Sequence, residues 1–224
     1  MSLSVIFDLD GTLADTSADL IAAANACFAA RGQGAPLDPL ADAATAFAGG
    51  RAMLRLGMER LGQGWSEADV DRDYPVLLEA YAGAIDVHTR LYPGAMAAVE
   101  RLWGAGHKVG ICTNKPAGLA ETLMTRLGVR DRFAALVGAD TLPVRKPDPA
   151  PLFETIARVS GDPARAVLIG DTVTDRETAR AAGIPSVLVT FGPTGRAVAE
   201  LAPEALLDHY DGLDAVLSGL HPGH

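Results

Sequence analysis

Cysteine occurs only twice in the 224 residues, as Cys27 and Cys112, with no C-x-x-C spacing. That scarcity excludes a disulfide framework and a cysteine-spaced zinc site, and both thiols are expected to be small, buried and reduced. Positive charge is short as well: 19 basic residues face 28 acidic ones, a formal net charge of −9. A chain with that balance has no attractive field for nucleic acid or an anionic membrane, so neither is expected as a partner. Long apolar runs are missing too, and none approaches the roughly 18 residues of a membrane span. The opening MSLSVIFDLDG has no basic segment of the kind that begins a secretory signal, and the expectation is a cytoplasmic protein. There is no G-x-x-x-x-G-K-[ST] loop, internal repeat or low-complexity tract. What remains is ordinary: 49% hydrophobic and 21% charged residues, enough for one large domain or for a core with a smaller insertion.

Four short, continuously apolar runs read as strands: SVIFDL (4–9), KVGICT (108–113), AVLIGD (166–171) and SVLVT (186–190), with a weaker ALVGAD at 135–140. Strands of this kind are buried on both faces, and helical patterns at 94–104, 117–127, 150–159 and 175–182 alternate with them. That alternation predicts an α/β fold with a Rossmann-like parallel sheet. Pro93, Pro116 and Pro149 stand at helix starts and Gly106, Gly128 and Gly183 at helix ends. The segment ALLDHYDGLDAVLSGL adds an edge strand and a closing helix. Nearly a hundred residues separate the first two strands, far more than a crossover needs. Most of that interval is Ala-rich and helical, with Ser17 and Ser66 as capping candidates. The expected organisation is a core of 1–15 and 89–224 interrupted by an all-helical domain at 16–88. Trp65 and Trp103 are expected to anchor packing.

The chemistry-bearing residues follow the strands. The first ends in Asp8 and Asp10; the second in Thr113, Asn114 and Lys115; the strand at 166–171 in Asp171, with Asp175 one turn further. The loop after the weak strand carries Lys146. Open parallel sheets bind ligands beyond the carboxyl ends of their strands, so these groups would converge on one edge. Two carboxylates as close as Asp8 and Asp10 repel unless a cation or a shared proton relieves them.

In order, DLDGTL, ICTN, RKPDP and GDTVTD resemble the four motifs of the haloacid dehalogenase-like hydrolase superfamily. Within it the chain is most similar to the phosphoglycolate phosphatase group, in YPG (92–94), CTNKP (112–116), KPDPAPL (146–152) and VTFG (189–192). The resemblance covers the whole chain, with the helical insertion as a cap domain. It implies hydrolysis of a phosphomonoester through an aspartyl-phosphate on Asp8. Asp10 would serve as general acid and base, Thr113 and the Asn114 backbone N–H as phosphoryl holders, and Lys146 as the neutralising cation. It further implies a Mg²⁺ ion held by Asp8, Asp171 and the Asp10 backbone carbonyl, with Asp175 orienting Lys146 or standing in the metal's outer shell.

Lysine is the last shortage. Only Lys108, Lys115 and Lys146 occur, and two of them sit in the motif loops. The helical insertion has none, which excludes the Schiff-base chemistry of phosphonate-cleaving relatives; a leaving-group acid at Asp10 disfavours dehalogenation. In the insertion, FAGGRAM (47–53) has two readings. Either Gly50 and Arg51 contact the substrate, Arg51 meeting a second anion, or the segment is a plain inter-helix turn with a solvated arginine. The expected substrate is a small phosphate ester, 2-phosphoglycolate first. Sugar phosphates, nucleoside monophosphates and pyrophosphate come next, and a phosphosugar mutase last. Monomer and homodimer both stay open.

Overall fold

The computed structural model describes residues 2–62 and 64–221. The chain forms two compact units, one of residues up to Ala14 together with those from Leu91 onward, the other Asp15–Arg90. The first unit opens with β1 (Ser4–Phe7), and β2 (Ala14–Asp15) leads into the second. That second unit contains α1 (Ser17–Ala29), α2 (Ala43–Phe47), α3 (Gly50–Leu61) and α4 (Glu67–Gly83), and β3 (Arg90–Leu91) leads out of it. Thereafter strands and helices alternate: α5 (Ala95–Gly104), β4 (Lys108–Cys112), α6 (Ala117–Arg126), β5 (Ala135–Val137), α7 (Ala150–Arg158), β6 (Ala166–Gly170), α8 (Val173–Ala182), β7 (Ser186–Val189), β8 (Ala205–Leu207) and α9 (Leu213–Leu220).

The sheet order is β5-β4-β1-β6-β7-β8, all parallel. Strand β1 is central and buried along its length. Ile6 joins the layer of α7 and α8 with Leu152, Ile156 and Ala179, while Phe7 points the other way, against the rings of Phe133 and Tyr210. Side chains alternate across a strand, so a continuous apolar run is what two covered faces require. From β1 the chain moves to β4 and β5 on one side, then crosses to β6, β7 and β8 on the other, which makes the carboxyl end of β1 the topological switch point. Register makes that edge level: Phe7 lies opposite both Ile111 and Ile169.

Helix ends follow their local chemistry. Pro116 and Pro149 directly precede α6 and α7. Gly183 ends α8 in the left-handed region at φ 67°, which a side chain there would resist. In α5 the buried stripe is Ala95, Ala98, Val99 and Leu102, and Trp103, one step beside it, is 51% exposed. Trp103 is therefore not the packing anchor the sequence suggested.

The helical unit has its own polar ties. The buried Asp19 carboxylate accepts from the His88 N–H and from the Thr89 N–H and hydroxyl at 2.8–3.0 Å, binding α1 to the segment before β3. Ser66 caps α4 in a reciprocal box with Asp69. Ser17, the other expected cap, is instead the first residue of α1. Asp15 takes that turn, accepting from the Ser17 N–H at 3.1 Å and hydroxyl at 2.6 Å. Arg60 on α3 grips the buried Asp42 with both terminal nitrogens, at 2.5 and 2.6 Å.

The Arg60 guanidinium holds the Asp42 carboxyl below the usual carboxylate range. A depressed carboxyl contributes stability above its unfolded pKa of about 3.9, and the contribution disappears as pH falls through the folded value. Asp42→Asn is expected to lower the melting temperature at pH 7, with the gap to wild type closing in strong acid. A gap that persists unchanged through the acid limb would take the ion pair out of the unit's stability.

Candidate active site

Asp8 immediately follows β1, and its N–H still bonds the Ile169 carbonyl at 2.8 Å, so the level register carries on to this residue. The chain then turns sharply: the N–H groups of Thr12, Leu13 and Ala14 all point to the Leu9 carbonyl. Gly11 makes the turn at φ 80°. A Cβ at this position would stand 2.2 Å from Asp171 Oδ2. At the end of β6, a Cβ on Gly170 would stand 2.3 Å from Asp175 Cγ. Missing side chains at these two positions are what let the acids approach.

The buried Lys146 places Nζ 2.6 Å from Asp175 Oδ1 and 3.2 Å from Asp8 Oδ1. Its loop is held by the Asn114 side chain, which donates to the Lys146 carbonyl at 2.9 Å. Asp175 is saturated: besides Lys146 it accepts the Asp171 N–H at 3.3 Å and the Thr172 N–H and hydroxyl at 3.1 and 2.7 Å, the last two closing a capping box on α8. Thr113 is buried, its N–H bonded to the Val137 carbonyl. Asp8, Asp10, Thr113, Asn114, Lys146, Asp171 and Asp175 thus stand at or just beyond the carboxyl ends of the strands of one unit.

Gly50 and Arg51 belong to the helical unit, at the start of α3. Arg51 pairs with Asp71 and lies 4.6 Å over the Tyr74 ring. A Cβ on Gly50 would press to 2.9 Å from the same ring, so both residues have packing roles inside that unit.

Three residues of the site went unassigned in the sequence. The Thr12 hydroxyl donates to Asp171 Oδ1 at 2.9 Å. The fully buried Tyr210 donates its hydroxyl to the Thr12 carbonyl at 2.8 Å, backed by Phe191 and Tyr92. Lys115, also buried, reaches both Asp10 oxygens, at 2.8 and 3.1 Å. For Thr12 and Lys115 a signal existed, since both lie inside motif loops; for Tyr210, 198 residues from its partner, there was none.

Asp8, Asp171 and Asp175 each offer an oxygen within 4.8 Å of the others, all three buried. Burial, with Asp175 and Asp10 adding to it and Lys146 opposing, pushes the Asp8 carboxyl up to about 6. Burial and the neighbouring Asp175 and Asp8 carboxylates raise Asp171 well above the usual value. For Lys146, burial works against the charge, but Asp175 and Asp8 outweigh it and hold its pKa above the ordinary lysine value. Asp8 Oδ1 is buried, 3.2 Å from the Lys146 ammonium. Acids held in that state, all-oxygen and short of positive charge, fit a hard divalent cation. Because Asp175 is saturated, Asp8 and Asp171 are the carboxylates that could hold one. The adjoining Cys112 is free and buried, its thiol pushed up to about 11 by burial, so it contributes no nucleophile. Cys27 is likewise free and buried.

A profile of the family described as haloacid dehalogenase-like hydrolase matches residues 5–189. A phosphoglycolate phosphatase of Mesorhizobium japonicum is 40% identical over 96% of this chain and 94% of its own. One of Agrobacterium fabrum is 36% identical over 97% and 93%. Among solved structures, one described as a predicted phosphoglycolate phosphatase from Haemophilus somnus superposes with a TM-score of 0.84 at 22% identity, covering 96% of this chain and 97% of that one. At that identity the likeness speaks for the fold.

Thr12→Val removes a donor from Asp171 without changing the side chain's volume much. Affinity for Mg²⁺, titrated calorimetrically, is expected to fall about 10–100-fold. Undiminished affinity would detach Thr12 from any cation site.

Proposed function

Because the chain belongs to the haloacid dehalogenase-like hydrolase family, we propose that it is a Mg²⁺-dependent phosphatase of small metabolites, working through an aspartyl-phosphate on Asp8, with 2-phosphoglycolate as its substrate. The observation that carries this reading is the Asp8 carboxylate itself, buried at the switch point, with Lys146 Nζ 3.2 Å from its Oδ1. The names of relatives 36–40% identical over almost the whole chain support the substrate. No helix among the described residues is long and apolar enough to cross a membrane.

Phosphate esters hydrolyse slowly because an anion must be attacked and an alkoxide must leave. A carboxylate nucleophile divides that task. Asp8 attacks phosphorus, the ester bond breaks, and Asp10 gives its proton to the departing alcohol oxygen. Asp10 then takes a proton from water, whose oxygen attacks phosphorus and frees inorganic phosphate and the Asp8 carboxylate. Lys146 neutralises Asp8 and the phosphoryl oxygens as a point charge. Its own charge is kept in place by Asp175, and Thr113 holds a phosphoryl oxygen. Asp8, Asp171 and the Asp10 backbone carbonyl would hold Mg²⁺, which when bound supplies electrostatic stabilisation of the phosphoryl oxygens. The expected cap domain, residues 16–88, is assigned the role of favouring small esters.

Asp8→Asn is expected to abolish phosphate release with an unchanged circular-dichroism spectrum; appreciable residual turnover would remove Asp8 as nucleophile. Asp10→Asn is expected to slow turnover about 10²–10⁴-fold, and a wild-type rate would place the acid elsewhere. Phosphate release from a panel of esters, with Mg²⁺ and with chelator, tests the whole reading. Preference for a sugar phosphate, a nucleoside monophosphate or pyrophosphate would keep the chemistry and move the substrate. No metal-dependent release from any ester would end the proposal.

A further inference from the structure

The two lysines at the strand ends divide the site between them. Lys146 faces Asp8 and Asp175, the nucleophile's side. Lys115 faces Asp10, the side from which a leaving group takes its proton. Both are buried, Lys115 with only 3% of its side chain exposed. The third lysine, Lys108, opens β4 at the opposite end of the sheet. We propose that Lys115 reads the substrate: its ammonium binds a carboxylate carried by the leaving alcohol next to the ester carbon, selecting phosphate esters of 2-hydroxy acids. This deepens the proposed function and rests on it.

The argument is one of reach. A general acid must approach the leaving oxygen to hydrogen-bond distance, about 3 Å. Lys115 Nζ is 2.8 and 3.1 Å from the two Asp10 oxygens, so whichever oxygen carries the proton, the ammonium lies within about 6 Å of the leaving oxygen. A carboxylate one carbon beyond that oxygen falls inside this span. An ammonium has three donors, so an incoming carboxylate and Asp10 can compete for them. Desolvation sharpens the choice: a buried cation is stabilised by an incoming anion and gains nothing from a methyl group in the same place. The guanidinium alternative, Arg51, is already engaged by Asp71 and Tyr74.

The test compares kcat/KM for 2-phosphoglycolate with that for ethyl phosphate, which carries a methyl where the first has its carboxylate, in wild type and in Lys115→Met. If Lys115 acts only by positioning Asp10, both esters lose equally. If it reads the carboxylate, the preference for phosphoglycolate falls about 10–100-fold beyond any shared loss, and Lys115→Arg restores part of it. An unchanged preference overturns the proposal. Binding of 3-phosphonopropionate against propylphosphonate, measured calorimetrically with Mg²⁺, asks the same question without turnover. The wild-type protein is expected to favour the carboxylate and Lys115→Met to lose that preference. Equal affinities in wild type also overturn the proposal, even if the variant does not fold. Failure of wild type to hydrolyse any ester would instead strike the phosphatase reading, and the phosphonate pair would still report on Lys115.

Discussion

The constraint that organises this molecule is an imbalance of buried charge. Asp8, Asp171 and Asp175 are withdrawn from water together, with Lys146 as the ammonium among them. Coulomb repulsion among carboxylates this close grows as the surroundings lose water, so each backbone feature nearby works to tolerate it. The turn into α8 spends the Asp171 and Thr172 N–H groups and the Thr172 hydroxyl on Asp175, which also holds Lys146. Thr12 does a lesser version of the same for Asp171. Asp8 shares the Lys146 ammonium with Asp175, at 3.2 Å from its Oδ1.

Geometry for that cluster comes from the sheet rather than from the loops. Since Phe7 is level with Ile111 and Ile169, the residues that follow on three strands emerge side by side. Loops alone would place them less sharply, because a turn tolerates variation that a hydrogen-bonded register does not. Glycine supplies what register cannot. At positions 11 and 170 any side chain would occupy space taken by an aspartate, so the compactness of the acid cluster is written partly in atoms that are absent.

Much of this was legible beforehand. The strand runs were found where they occur, although SVIFDL and KVGICT extend past the observed strands, because the residues that end them leave the ladder for the site. The inserted helices were readable because they interrupt a regular alternation, and the four motif loops because they carry charge where burial disfavours it. The missing part has a common physical character. Tyr210 and Thr12 are 198 residues apart, and Lys115 and Asp10 are 105 apart; neither pair leaves a periodicity in the sequence, since tertiary hydrogen bonds depend on where the backbone returns. Trp103 failed for a different reason, its size suggesting burial while its place on α5 lies just outside the buried stripe.

The centrality of β1 also bears on how the molecule comes into being. It precedes both of its neighbours by far, since they begin at Lys108 and Ala166. Non-local parallel pairing has to await the arrival of distant chain and is slow for that reason. The helices between Ser17 and Gly83, by contrast, find their partners within their own unit. During synthesis the helical unit can therefore assemble while β1 stays unpaired on both sides. The pairing on both sides of β1 is complete only after β6 emerges, and with it the charges of Asp8, Lys146 and Asp171 meet.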